Sequence, residues 1–141
     1  MGENSKFSVG IPAYNTESRL KVMIDSIVKN TESFVQDADY KIVVGDDGST
    51  KNVSEIKKVA KDYNAGYIRH EKNKGIPAIW NSLTKYNECE ISILFNDDNR
   101  VREESKSWLQ CLDFFFNNNE HAGVVGFPLY HVDLKTDKPS D

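Results

Sequence analysis

A chain of 141 residues with 22 acidic and 18 basic side chains, net charge −4 and 38% hydrophobic residues has the size of one domain and enough apolar residues for its core. Aromatics at 11% exclude an intrinsically disordered chain in spite of a mean hydropathy of −0.59, and apolar runs no longer than Ile42–Val44 or Ile93–Phe95 exclude an integral membrane segment. A pI near 5.4 with dispersed basic residues argues against nucleic acid as a partner, and a polar N-terminus without an apolar region leaves the cytoplasm as the expected location.

In chain order, Phe7–Pro12 is a short apolar strand, expected to stop at Pro12 because proline cannot serve a central ladder. Leu20, Met23, Ile24, Ile27 and Val28 recur at helical spacing behind a Thr or Ser cap and predict a helix over about Glu17–Thr31. Tyr40–Val44 is β-branched and nearly continuous, as in a strand covered on both faces, and ends in the turn cluster Gly45–Thr50. Val53, Ile56, Val59, Ala60 and Tyr63 predict a surface helix over Val53–Tyr63, with lysines on its other faces.

Tyr67–His70 is a short strand candidate, and Asn73-Lys74-Gly75 leads into a helix from Ile76 with Pro77 tolerated in its first turn. Ile91–Phe95 is the next strand, closed by Asn96-Asp97-Asp98-Asn99. A fourth helix is expected over Glu103–Phe116, burying Trp108, Leu109, Leu112, Phe115 and Phe116, and Val124–Phe127 opens a further strand. Strands alternating with helices indicate an α/β fold with a mostly parallel sheet flanked by helices. Residues 1–141 are expected to form one domain, with 128–141 an irregular C-terminal segment.

In open α/β sheets ligands bind beyond the carboxyl ends of the strands. Three such ends here are polar: Pro12-Ala13-Tyr14-Asn15, Asp46-Asp47-Gly48-Ser49 and Asn96-Asp97-Asp98-Asn99. One cluster alone is better explained as a turn or helix cap. Two aspartate pairs at equivalent edges favour a site, because adjacent carboxylates repel and a divalent cation relieves them. Mg²⁺ and Mn²⁺ take oxygen ligands and commonly join one or two carboxylates to a substrate's phosphates. His70, His121 and His131 share no metal-ligand spacing and read as exposed or hydrogen-bonded structural residues. Cys89 and Cys111, 22 residues apart without a CxxC, read as helix-flanking or core thiols rather than a disulfide scaffold or zinc ribbon.

Four motifs in order resemble the family 2 glycosyltransferases: Phe7–Leu20 (FSVGIPAYNTESRL), Ile42–Thr50 (IVVGDDGST), Asn73-Lys74-Gly75 with Asn81, and Ile93–Arg100 (ILFNDDNR) in the place of the DxD metal motif. The resemblance implies a Rossmann-like GT-A fold that binds a nucleoside-diphosphate sugar. It implies that Pro12, Ala13, Tyr14, Asn15 and Asp47 bound the nucleotide pocket, that Asp47 accepts a base N–H, such as uracil N3–H, and that Gly75 and Asn81 belong to the same nucleotide site. Asp97 would face the ribose or sugar, and Asp98 would coordinate Mn²⁺ or Mg²⁺ on the diphosphate. The implied reaction is metal-assisted, inverting transfer from a donor, with a UDP-sugar preferred, to an unknown glycan, lipid or protein acceptor.

The chain departs from the family pattern at three places. Ala78-Ile79-Trp80-Asn81 lacks the arginine often found before the asparagine, and Asn96 replaces the first carboxylate of the metal motif, which weakens a metal site. Only Pro128–Asp141 follows the last expected strand, so the acceptor half and its general base are expected to be missing, with Glu103 and Glu104 too close to the metal motif to be assigned that role. The alternatives are a non-catalytic nucleotide-sugar-binding module and a sugar nucleotidyltransferase. The latter would normally carry a Gly-rich, basic loop where Pro12–Thr16 stands. A phosphatase of the HAD type is disfavoured by Gly45, where its nucleophile loop needs an aspartate.

Overall fold

The computed structural model describes residues 5–31, 40–86, 89–127, 132–133 and 138–139. β1 (Phe7–Ala13), β2 (Tyr40–Asp46), β3 (Gly66–Arg69) and β4 (Ile91–Leu94) form a parallel sheet in the order β3-β2-β1-β4. α1 (Glu17–Lys29) links β1 to β2, α2 (Val53–Asp62) links β2 to β3, and α3 (Ile76–Tyr86) links β3 to β4. Every residue of β1 is buried, as a strand flanked on both sides and covered on both faces requires.

Side chains alternate across the strands. α3 lies on the face that presents Gly10, Val43 and Gly45, where Ile79 and Leu83 pack against Val43. The absence of a side chain at Gly45 permits this approach: a Cβ there would stand 2.8 Å from Ile79 Cγ1. α1 buries Leu20, Met23, Ile24 and Ile27, while α2 buries Ile56 and Ala60. The Tyr63 hydroxyl donates to Asp25 and ties the end of α2 to α1.

β1 continues through Pro12 to Ala13, one residue beyond the expected stop. The Ala13 carbonyl accepts from Asp47 N–H on the β2 side at 3.0 Å, and that of Gly10 accepts from Phe95 N–H on the β4 side at 3.0 Å. Pro12 shares Gly10's orientation, so its missing donor faces the side where β4 has already ended. The ladder loses nothing there, and the strand survives its proline.

Two further expectations are corrected. The helix over Glu103–Phe116 is broken into a 3₁₀ turn, Glu103–Ser105, and α4 (Trp108–Asn117). The turn buries none of its residues, and an amphipathic helix starts only where burial starts, at Trp108. The Trp108 indole donates to Thr31 Oγ1 at 2.9 Å and its ring lies 5.7 Å from that of Phe95. Val124–Phe127 is not a strand: Val124 is 91% exposed, and the segment has no ladder partner among the described residues.

The chain divides into two compact units, Met1–Gln110 and Cys111–Asp141. The first contains the four-stranded sheet. In the second, Leu112 is buried, Phe115 and Phe116 stack edge to face with centroids 5.4 Å apart, and Phe114 is exposed. Within the segment expected to be irregular, β5 (Val132–Asp133) and β6 (Lys138–Pro139) pair antiparallel, and the rest of 128–141, including His131, lies outside the described residues. Cys89 is half-buried with its thiol donating to the Ile91 carbonyl at 3.3 Å, whereas Cys111 is exposed on α4 and so is not a core thiol. His121 is exposed.

Candidate functional site

The strand order reverses direction at β1: β2 and β3 are added on one side, β4 on the other. Such a switch point opens a crevice beyond the carboxyl ends of the two diverging strands. A cleft of about 390 Å³ occupies it. Pro12, Ala13 and Tyr14 of the β1 end, Asp47 after β2, and Asn96, Asp97 and Asp98 after β4 line the cleft. Arg19 from α1, and Asn73, Gly75 and Ile76 from the entry to α3, complete it.

Adjacent aspartates after β2 have different tasks. Asp46 is fully buried; its carboxylate accepts the Ser49 N–H at 2.8 Å and the Tyr67 hydroxyl at 2.8 Å, and is ion-paired to Arg69. Burial opposes its charge, but hydrogen bonds from Ser49, Tyr67 and Arg69 outweigh that and hold the carboxyl below its ordinary range. Burial, and next the Asp46 carboxylate, push the Tyr67 phenol up to about 12. Asp46 thus clamps β3 to β2 from within and is spent structurally.

Asp47 is 4% exposed yet reaches the cleft. Its carboxylate accepts Gly75 N–H at 2.8 Å, and Lys74 N–H at 3.1 and 3.2 Å on its two oxygens. His70 Nδ1 stands 2.7 Å from Oδ1, while His70 Nε2 stands 2.8 Å from Ser82 Oγ on α3. A carboxylate only accepts, so His70 Nδ1 carries a proton and donates to Asp47, while Nε2 bonds the Ser82 hydroxyl. Three donors thus make four contacts with the two Asp47 oxygens, the Lys74 N–H being shared between them, so a ligand N–H would take over the position that this shared amide spans. Gly48 makes the loop possible: its φ is +74°, and a Cβ would lie 2.3 Å from the Lys72 carbonyl carbon.

The Asn96–Asn99 turn closes on itself, Asn96 N–H donating to Asn99 Oδ1 at 2.8 Å. This leaves the two aspartates to the cleft. The Thr16 hydroxyl donates to Asp97 rather than capping α1, and Arg19 Nη2 lies 3.5 Å from the same Asp97 oxygen. Asp98 is exposed and has no hydrogen-bond or ion-pair partner among the described residues. No three His, Cys, Asp or Glu side chains among the described residues stand close enough to hold a metal by themselves.

Of the residues singled out in the sequence, Pro12, Ala13, Tyr14, Asp47, Gly75, Asp97 and Asp98 meet in the cleft. Asn15 and Asn81 are not among its lining. Asn15, at φ +55°, accepts the Thr50 and Lys51 N–H groups at 2.9 Å each and donates its own N–H to Ser49 Oγ at 3.0 Å, joining the first two loops. Asn81 is exposed on α3. Trp80 packs half-buried against the Val43, Ile79 and Leu83 cluster. Sequence reasoning missed Arg19, whose only signal was a basic residue in the first turn of a helix, where acidic ones are favoured.

The model of the family described as Glycosyl transferase family 2 matches residues 8–140. The minor teichoic acid biosynthesis protein GgaA of Bacillus subtilis (strain 168) is 29% identical over 132 residues, 92% of this chain and 29% of GgaA. Among solved structures, S. aureus TarS 1–349 in complex with UDP-GlcNAc superposes with a TM-score of 0.66 at 23% identity, over 89% of this chain and 37% of that one. The mannosyltransferase PcManGT from Pyrobaculum calidifontis, in complex with GDP-Man and Mn²⁺, gives 0.57 at 18% identity, over 68% of this chain and 28% of that one. The two structural likenesses show the expected GT-A fold, and this chain spans only about a third of each of the three proteins. Among the described residues no helix is long and apolar enough to cross a membrane.

Proposed function

This chain belongs to glycosyl transferase family 2, and on that premise we propose that its cleft holds the nucleoside diphosphate end of a sugar donor, for metal-assisted, inverting transfer to an acceptor. The observation that carries the proposal is the convergence of three strand ends on one cleft at the switch point of the sheet, the β2 end bearing Asp47 and the β4 end Asp97 and Asp98. Tyr14, 42% exposed, offers a ring to the base or ribose. Asp47 accepts a base N–H in the position that the shared Lys74 amide spans, while the Gly75 amide and His70 hold that carboxylate in place. UDP is the first donor nucleotide to test, supported by the UDP-GlcNAc in TarS, and GDP the second, supported by the GDP-Man in PcManGT. The name of GgaA directs the acceptor search to teichoic acid.

The donor set fits a divalent cation that the substrate helps to bind. Asp98 has no partner among the described residues and Asp97 lies beside it, so these two carboxylates would hold the ion and the substrate's phosphates and water would supply the remaining oxygens, the combination that Mg²⁺ and Mn²⁺ accept. When bound, such an ion neutralises charge on the departing nucleoside diphosphate. Calorimetric titration with UDP and GDP, in Mn²⁺ and in EDTA, tests the reading. One nucleotide should bind more tightly with Mn²⁺, and Asp98→Ala should remove that gain while leaving the EDTA affinity unchanged. Equal losses in both conditions would refute the coordinating role, and absence of binding by either nucleotide would refute the donor cleft.

A further inference from the structure

Among the described residues that line the cleft, Asp47, Asp97 and Asp98 are acidic and Arg19 alone is basic. A nucleoside diphosphate brings two to three further negative charges into this space, more than a single divalent cation balances. Arg19 is placed against its helix: a cation in the first turn of α1 opposes the helix dipole. Its side chain is 57% exposed, so packing does not hold it there. What holds it is Asp97, at 3.5 Å, a distance beyond good hydrogen-bond length. Asp97 is secured separately by the Thr16 hydroxyl and keeps its orientation if Arg19 leaves.

Resting on the donor-cleft reading, we propose that Arg19 is the residue that grips the donor's diphosphate, exchanging Asp97 for the phosphate oxygens when nucleotide enters. A guanidinium suits this task because its planar fork meets two phosphate oxygens at once, which an ammonium cannot do. In the empty cleft Asp97 is then a competitor for Arg19, parking the guanidinium at the mouth of the site. The arrangement would recognise the diphosphate and leave the nucleoside to Tyr14 and Asp47.

The test is titration of the wild-type chain, Arg19→Gln, Arg19→Lys, Asp97→Asn and the Arg19→Gln/Asp97→Asn double variant with UDP or GDP, whichever the wild type binds, and with the matching nucleoside. EDTA is present throughout to isolate protein contacts. Arg19→Gln should weaken diphosphate binding about tenfold, the worth of a charge-assisted contact, and leave nucleoside binding unchanged. Arg19→Lys should fall between. Asp97→Asn should tighten diphosphate binding by freeing Arg19, and the gain should vanish in the double variant. A loss below threefold in Arg19→Gln, an equal loss with the nucleoside, or an Asp97→Asn gain that persists without Arg19 would overturn the proposal while leaving the donor cleft intact. A wild type that binds neither nucleotide, in EDTA or Mn²⁺, would overturn both.

Discussion

Replacing Gly48 with alanine should damage stability and the site together, and the structure gives the size of the effect. Gly48 has φ +74°, a conformation that costs an L-residue about 1–2 kcal/mol. Its added Cβ would lie 2.3 Å from the Lys72 carbonyl carbon, 2.5 Å from Asn73 N and 2.6 Å from Lys72 Cα, all backbone atoms that no rotamer change moves aside. Restoring ordinary contact needs a shift of roughly 1 Å, which would stretch the 2.8 Å Gly75-to-Asp47 hydrogen bond beyond its useful range. Overpacking of this kind costs about 1–3 kcal/mol, so the total is about 2–5 kcal/mol, a large share of a typical domain's stability. Gly75 provides the control: at φ +88° it carries the same conformational cost, but its Cβ would meet only Pro77 Cδ at 3.9 Å. Gly75→Ala should therefore cost only about 1–2 kcal/mol. Urea unfolding followed by far-UV circular dichroism measures both. A Gly48→Ala cost within about 0.5 kcal/mol of Gly75→Ala would show that the two loops do not approach as described.

Asp46→Asn should destabilise the fold by about 1–3 kcal/mol near neutral pH, since it removes a buried charge that organises Ser49, Tyr67 and Arg69. Because the folded Asp46 pKa lies below its ordinary value of 3.8, this advantage is complete above that value and disappears as pH falls through the folded pKa. Urea midpoints of wild type and variant should accordingly converge as pH falls from 3.8 through the depressed folded pKa, and a gap independent of pH would contradict the assigned charge. His70→Ala should weaken nucleoside binding about threefold to tenfold by loosening Asp47, measured by titration, whereas unchanged affinity would assign His70 to the fold alone. Trp80→Phe should alter stability by less than about 1 kcal/mol, because the buried indole N–H has no hydrogen-bond partner among the described residues and its loss offsets the lost packing; a larger drop in urea midpoint would deny this.

The parallel sheet was legible because β-branched runs such as Ile42–Val44 and the stripe Leu20, Met23, Ile24, Ile27 carry their periods without interruption. The cleft was legible for a related reason: polar residues directly following apolar strands fall at one edge of a parallel sheet, whatever the tertiary details. Other features depended on partners distant in the chain. Pro12 stays in its strand because β4 ends at Leu94, and Thr16 forgoes its cap because Asp97, 81 residues later, competes for the hydroxyl. Asp46 and Asp47 look alike as letters, and only the positions of Tyr67, Arg69, His70 and Gly75 separate a structural carboxylate from a cleft one. Arg19 escaped notice because a helical pattern assigns it to solvent, and its value lies in which cleft that solvent fills.

Nucleotide is proposed to enter between the ends of β1, β2 and β4. The most direct test of that placement is an amide NMR titration of the isotopically labelled chain with UDP and with GDP in Mg²⁺. One of them should shift the Tyr14, Asp47, Lys74, Gly75 and Asn96–Asp98 resonances in concert, while the exposed face of α2 around Lys57 and Lys61 stays unchanged. Shifts confined to that α2 face, or no shift in these cleft residues with either nucleotide, would contradict it.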